Sequence, residues 1–410
     1  MDGLLLQRGQ EYDYVIDYNT AELTFTPRVL MTKDKRIIAE FEYSDKNYAR
    51  SLLYFNNEWS TEKLKLKLNV YSEQDSKNQP LLQDLSDEQK KFLASLGDNT
   101  SQAFYPSADS VAFNINEVLY ARIDSAGFSF YRYSTDSTVA KYRLTFTDVG
   151  QGNGNYVQVR SSANGRVFEF IPPVGGVLQG RFEPVRLLIA PRSQQLITFG
   201  ADYAFDKTGS IKAEGAFSNY DVNTFSKIDK RNDAGIALSA TVKKAFRLEE
   251  KTDGWKLNTG LKAEHAGKNF IPVENYRPSE FTRDWNLAGI TAASEENAFI
   301  ASAGIEKQMH RLDYSLSTFQ KGSAFKGTMH LAGISTGFKT IKLITDGSYL
   351  TTSGSQSKST FIRSNADLSN RFFSRFTAGG KFSLENNKLY FPGSDSLTVS
   401  SLCSRFYSTL

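Results

Sequence analysis

Ile211-Lys212-Ala213-Glu214-Gly215-Ala216-Phe217-Ser218 decides the fold: odd positions carry Ile, Ala, Gly and Phe, and Lys212, Glu214 and Ser218 stand between them. A period of two is that of a β-strand, whose successive side chains point to opposite faces of a sheet. The same dyad recurs further on. Ile236, Leu238, Ala240 and Val242 alternate with Ser239, Thr241 and Lys243; Trp255, Leu257, Leu261 and Ala263 with Lys256, Asn258, Lys262 and Glu264. Phe299, Ala301, Ala303 and Ile305 oppose Ser302 and Glu306, Leu312, Tyr314 and Leu316 oppose Asp313, Ser315 and Ser317, and Phe372, Phe376, Phe382 and Leu384 oppose Arg375, Thr377 and Lys381. Turns at Asp206 to Gly209, Ser294 to Asn297 and Glu385 to Lys388 punctuate the series. Some ten successive strands of about ten residues each predict an up-and-down antiparallel barrel of the outer-membrane type over residues 191–410.

Upstream, residues 1–190 predict a β-rich extramembrane domain of sandwich-like strands. Tyr14-Val15-Ile16-Asp17-Tyr18 and the run after Asn19-Thr20 form two short strands, Leu4 to Leu6 lies before an Arg8-Gly9-Gln10 turn, and Ile37 to Tyr43 continues the pattern. Leu64, Leu66, Leu68 and Val70 alternate with Lys63, Lys65, Lys67 and Asn69, a strand with one dry and one wet face. A short helix is expected over about 86–96: Ser86 with Gln89 fits a capping box, Phe92, Leu93 and Leu96 share a face, and Gly97 is a stop. Pro172-Pro173, Gly175-Gly176 and Pro191 predict a boundary between 172 and 193.

Composition agrees with an all-β class. The chain carries 30 Phe and 20 Tyr, which favour pleated surfaces. A net charge of +4, with no basic run of five, excludes an electrostatic footprint for nucleic acid. The single Cys403 forms no internal disulfide, and His265, His310 and His330 are too scattered for a usual zinc site. No apolar run reaches the roughly 20 residues of a membrane-spanning helix, so any span must be made of strands. The N-terminus has no secretory signal pattern and opens inside a hairpin-like stretch, and Leu397 to Leu410 reads as an unfinished strand region. Both predict a truncated, incomplete barrel with an open edge, completed by the missing remainder of its own chain or another envelope protein.

Four strings, Arg8 to Pro27, Asp148 to Val157, Phe182 to Leu196 and Phe217 to Gly235, resemble large surface and outer-membrane β-strand proteins of Bacteroidota-type bacteria. That resemblance covers most of the chain and implies location at the outer membrane or cell surface, with outer-membrane lipid as the surrounding partner.

Strings that could carry chemistry are weak. Gly333-Ile334-Ser335-Thr336-Gly337 spells a nucleophile elbow, but strand-like sequence flanks it on both sides and no histidine follows Ser335. Gly150 to Asn155 resembles a phosphate loop yet leads into a strand. Asp229, Asn232 and Asp233 could ligate calcium, but Lys230 and Arg231 intervene. His330, beside Lys326 and Thr328, is expected on a polar lumen or surface face. Asn99-Thr100-Ser101 is a sequon by spelling alone. Tyr203, Phe205, Tyr220, Phe225, Phe270, Tyr276 and Phe281 fall near strand ends and suit interfacial girdles, or the ends of a soluble core. No catalytic, cofactor-binding or metal-ligating residue is assigned, and no cofactor. The expected function is a non-catalytic outer-membrane or cell-surface barrel protein with a structural, export-associated or binding role; the alternative is a soluble secreted adhesin-like array of β-sandwiches.

Overall fold

The computed structural model describes residues 4–9, 11–17, 22–29, 37, 47–81, 84–115, 117–125, 127–160, 166–251, 253–287, 289–355, 357–373, 376–391 and 399–409. The chain divides into two units, Met1–Asp45 and Lys46–Leu410. In the first, Tyr14–Asp17 pairs antiparallel with Glu22–Phe25 around the Asn19-Thr20 position, as the sequence predicts. Leu4 to Leu6 forms no strand, and the segment around Arg8 meets the hairpin through a bridge to Tyr14 and hydrogen bonds between Gln7 and Asp13. The expected strand from Ile38 to Tyr43 lies outside the described residues.

The second unit is built on one antiparallel sheet of 13 strands. In chain order these are β1 (Tyr48–Ser60), β2 (Leu64–Pro80), β3 (Ser193–Asp206), β4 (Gly209–Asp221), β5 (Ala234–Arg247), β6 (Lys256–Ala266) and β7 (Glu296–Lys307). They continue as β8 (His310–Lys321), β9 (Phe325–Phe338), β10 (Ile341–Gly354), β11 (Lys358–Phe373), β12 (Phe376–Tyr390) and β13 (Val399–Thr409). Each strand pairs with its neighbours in sequence order, so the sheet is an uninterrupted meander. With an odd number of strands, β1 and β13 run in the same direction, and a pairing between those two alone would be parallel.

The sheet crosses the boundary expected near residue 190. β2 pairs with β3 from Ser193↔Gln74 to Tyr203↔Leu64, so residues 48–80 belong with residues 193–409, and residues 81–192 form an insertion between adjacent strands. Asp75 fastens the base of that insertion: Arg50 Nε donates to Oδ1 at 2.7 Å and the Arg192 amide donates to Oδ2 at 3.1 Å.

Helix α1 (Asp87–Ser95) has its capping box, with the Gln89 amide donating to Ser86 Oγ and the Ser86 amide to Gln89 Oε1. Gly97 ends it at φ +61°. The end of the helix finds a donor the sequence did not suggest: fully buried Asn223, from the β4–β5 loop, donates from Nδ2 to Leu93 O at 2.8 Å and to Gly97 O, just past the helix, at 2.7 Å. Leu93 then packs with Tyr48, Leu85, Ala103, Leu188 and Ala190 in a core at the root of the insertion.

Residues 109–183 fold as a small β-sandwich. One sheet holds Tyr120–Ser125 and Phe128–Tyr133; the other holds Tyr156–Val159 and Val167–Phe170. An aromatic core joins them, with Phe130 stacked on Phe170 at 4.4 Å and Phe146 on Phe168 at 4.3 Å. Two tyrosines lock the layers reciprocally. The Tyr120 hydroxyl accepts from the Phe168 amide at 3.1 Å, and the Tyr156 hydroxyl accepts from the Tyr131 amide at 2.8 Å. Burial pushes the Tyr156 phenol up to about 12 and raises Tyr120 as well. A phenol raised in the folded state contributes stability that is complete below its unfolded value near 10 and is lost as pH climbs toward 12. The sandwich should therefore unfold in alkali over that window. Tyr156→Phe, which orphans the Tyr131 amide, should cost about 1–3 kcal/mol at neutral pH. Chemical denaturation followed by near-ultraviolet circular dichroism checks both; a variant as stable as wild type would show that the amide finds another acceptor.

Candidate functional site

Register separates the two faces of the large sheet. Ile197, Phe217 and Ile236 lie in one cross-strand row, Tyr203, Ile211, Val242 and Leu261 in another, and Phe246, Leu257, Ile305, Leu312 and Ile334 in a third. Ile211, Phe217, Leu238, Leu261 and Leu312 are each at least 40% exposed, so no second layer covers them. Phe376 belongs to a strand end whose side chain is outside the described residues.

Charge marks the difference between the faces. Among the described residues of β2 to β12, the apolar face carries charged side chains only at strand ends: Lys244 and Lys307 with nearby Asp206 at one side, and Asp221, Lys326, Lys358 and Lys388 at the other. The opposite face carries charge throughout, as in the rows Lys65–Asp202–Lys212 and Lys256–Glu306–Arg311 and the Asp367–Lys381 pair at 3.3 Å. On β9 the apolar stretch from Thr328 to Phe338 is about 25 Å tall for a strand tilted near 40°.

The edge of this apolar belt cuts obliquely across the hydrogen-bonded rows. It reaches Phe217 and Ile236 on β4 and β5. The row containing Leu238 turns polar at His265, Asn297, Gln320 and Lys326, and on β12 polarity begins two rows earlier, at Asn386. Such a slope is what tilted strands produce against a level boundary.

The polar face holds a segment of its own chain. After β6, residues 267–272 cross over β5, β4 and β3. The Ile271 amide donates to Ser218 Oγ at 3.1 Å, and Gln194 Nε2 donates to Pro272 O at 3.2 Å. A Cβ at Gly235 would sit 2.3 Å from the Phe270 backbone, so only glycine lets the segment pass there. The chain then returns the other way. Arg277 bonds Glu264 on β6 at 2.7 Å and Glu296 on β7 at 3.3 Å. The single turn α2 (Phe281–Asp284) puts Arg283 on Glu385 of β12 and Asp284 on Arg363 of β11. Trp285 and Leu287 enter a cluster with Phe319, Phe325, Leu350 and Phe361 from β8 to β11, and Asn286 donates to Ser359 and Asn387. A helical turn of four residues is about 6 Å long. In a flat sheet β8 and β12 would be about 19 Å apart, and α2 bridges them through its side chains, Phe281 on Phe319 and Arg283 on Glu385.

Loop lengths differ between the two strand ends. One end has short links, such as 61–63, 207–208, 308–309 and 339–340; the other has the 81–192 insertion, 222–233 and the in-folded 267–295.

The residues singled out in the sequence fall into place as follows. Ser335 lies within β9 on the polar face, paired with Arg311 and Ile344, while His310 bonds Thr336 at 2.7 Å and His330 bonds the Tyr314 hydroxyl at 2.7 Å. His330 shares a face with Lys326 and Thr328 as expected, but that face is the apolar one, not a polar lumen; the histidine sits between Leu316 and Tyr349. Gly150 and Gly152 take positive φ in a turn leading into Tyr156–Val159. Lys230 occupies the acidic loop, at 2.6 Å from Asp221 and 3.6 Å from Asp233, and Asn232 bonds Asp98. Of the seven aromatic residues proposed for girdles, Tyr203 and Phe205 are exposed at the short-turn end. Tyr220 faces the polar side, Phe225 packs against the α1 core, Phe270 and Tyr276 contact each other, and Phe281 packs on Phe319. No sequence signal assigned a role to Arg277, Arg283 or Trp285 of the in-folded segment.

Among the described residues no helix is long and apolar enough to cross a membrane. No curated protein matches the chain, and no solved structure matches it. Residues 1–45 match a family model described as a domain of unknown function, DUF8818, and that match coincides with the first of the two units.

Proposed function

We propose that the 13-strand sheet is the wall of an outer-membrane-type β-barrel at a bacterial cell surface, with a structural, export-associated or binding role and no catalysis of its own. One observation carries the reading: charge is confined to the polar face and to the rims of the other, leaving a charge-free apolar belt about as tall as a bilayer core. A lipid-facing sheet cannot hold charge in mid-belt, whereas a lumen favours it. The in-folded segment 267–295 then narrows the lumen, and the side bearing the long loops and the β-sandwich faces outward, in keeping with the resemblance to surface β proteins. An antiparallel seam would need an odd number of strands beyond the 13.

The sandwich at 109–183 is the feature that favours the other reading, a secreted adhesin-like array. In that reading the apolar belt needs a covering sheet, and none lies on it among the described residues. The test is refolding of the whole chain from urea by dilution into phosphatidylcholine vesicles. The expected result is strand-rich protein that floats with the vesicles and resists carbonate extraction, with heat-modifiable migration on a gel where the wall closes. A monodisperse, folded chain in buffer without detergent or lipid would overturn the membrane reading.

A further inference from the structure

The lysines at the two rims of the apolar belt differ in what they face. At the short-turn rim both are neutralised within the chain: Lys244 pairs with Asp206, and Lys307 with Glu249 at 3.1 Å. At the long-loop rim Lys326, Lys358 and Lys388 have no ion pair or hydrogen bond among the described residues. They are neighbours. Lys326 on β9 faces Ser353 on β10, Ser353 faces Lys358 on β11, and Lys388 on β12 faces Thr360, one position along from Lys358 on the same face. Strand spacing puts Lys326 and Lys358 about 10 Å apart and Lys388 within about 8 Å of Lys358.

Below Lys326 and Lys358, toward the middle of the belt, comes a row of hydroxyls, Thr328, Thr351 and Thr360, which Lys388 ends on β12; the next row is His330, Tyr349, Ile362 and Asn386, and hydrocarbon follows deeper at Ala332, Ile334, Ala366 and Leu368. Cation, hydroxyl and hydrocarbon thus follow one another down the wall in the order of phosphate, ester and acyl chain in a phospholipid. Among the described residues, three adjacent cations stand without an ion pair at one rim while the rim lysines at the other are matched, which favours an external anion at that depth.

We propose that Lys326, Lys358 and Lys388 form a binding site for the phosphate groups of anionic membrane lipids in the leaflet on the long-loop side. The site rests on the membrane reading above. Each lysine beside an anionic lipid surface strengthens association on the order of fivefold.

The experiment compares spin-labelled phosphatidylglycerol with spin-labelled phosphatidylcholine at the protein–lipid boundary of the full chain refolded in phosphatidylcholine vesicles, read by electron spin resonance. Wild type should select phosphatidylglycerol several-fold. The triple variant Lys326→Gln, Lys358→Gln, Lys388→Gln should lose most of that selectivity while inserting normally. A control triple, Lys212→Gln, Lys243→Gln, Lys262→Gln, removes equal charge from the polar face and should keep it. Insertion with no preference for phosphatidylglycerol, or a preference unchanged in the rim variant, overturns the site and leaves the membrane reading intact. Failure to insert at all overturns both.

Discussion

Trp285→Ala should release the segment 273–287 from the polar face and cost about 3–5 kcal/mol, the usual penalty for removing a large buried aromatic. Trp285 is 8% exposed, and its ring lies 5.4 Å from Phe319 and 6.2 Å from Phe281. A Cβ on Gly327 would come within 2.9 Å of the indole, so β9 is cut away to receive it. Truncation leaves Arg283 and Asp284 holding their strand partners without the apolar contact that fixes the turn between them. Because those ion pairs are partly solvated, they are too weak to hold the segment alone. The measurement is hydrogen exchange and limited proteolysis of the refolded chain: residues 273–287 should lose protection while amides of β3 to β12 keep theirs. A segment that stays protected would mean that the Arg277 pairs to β6 and β7 and the Asn286 bridge to β11 and β12, not the aromatic cluster, hold it in place.

Leu261→Arg should be the most damaging single charge on the sheet, at about 2–4 kcal/mol in lipid, because Leu261 lies mid-belt between Val242 and Ala301. Thr241→Arg, on the neighbouring strand but on the polar face beside Lys212 and Lys262, should stay within about 1 kcal/mol. Position on the dyad, rather than the residue introduced, sets the difference. Urea-dependent folding into vesicles gives both values. Equal costs for the two substitutions would show that the apolar face does not meet hydrocarbon.

The dyads told which side chains share a face on most strands, and the register bears this out for Ile211 to Phe217, Ile236 to Val242, Leu257 to Ala263, Phe299 to Ile305, Leu312 to Leu316 and Phe382 to Leu384, whereas His330, expected on the polar side, lies on the apolar one. Helix α1 was equally legible, since its capping box joins residues three apart, Ser86 and Gln89, and its glycine stop lies two residues past the last helical one. The sites that decide how the sheet is used were not. Asn223 capping a helix 126 residues away, and Arg283 reaching Glu385, are contacts between segments whose local sequence contains no trace of the partner.

Sequence by itself determined the β class, the dyad faces, the turn at Asp206 to Gly209 and the short helix, because these follow from a period of two and from caps that act over a few residues; Glu385 to Lys388, expected as a turn, lies inside β12, where pairing with β11 runs straight through it. Only the tertiary structure decided that β2 pairs with β3 across the whole 81–192 insertion, that β-strands before residue 81 belong to the same sheet as those after 193, and that the segment after β6 folds back over the polar face. The physical reason is that backbone hydrogen bonds between strands are the same for every sequence. A period of two fixes which way a side chain points, while the choice of neighbour and the curl of the sheet depend on packing between residues far apart in the chain.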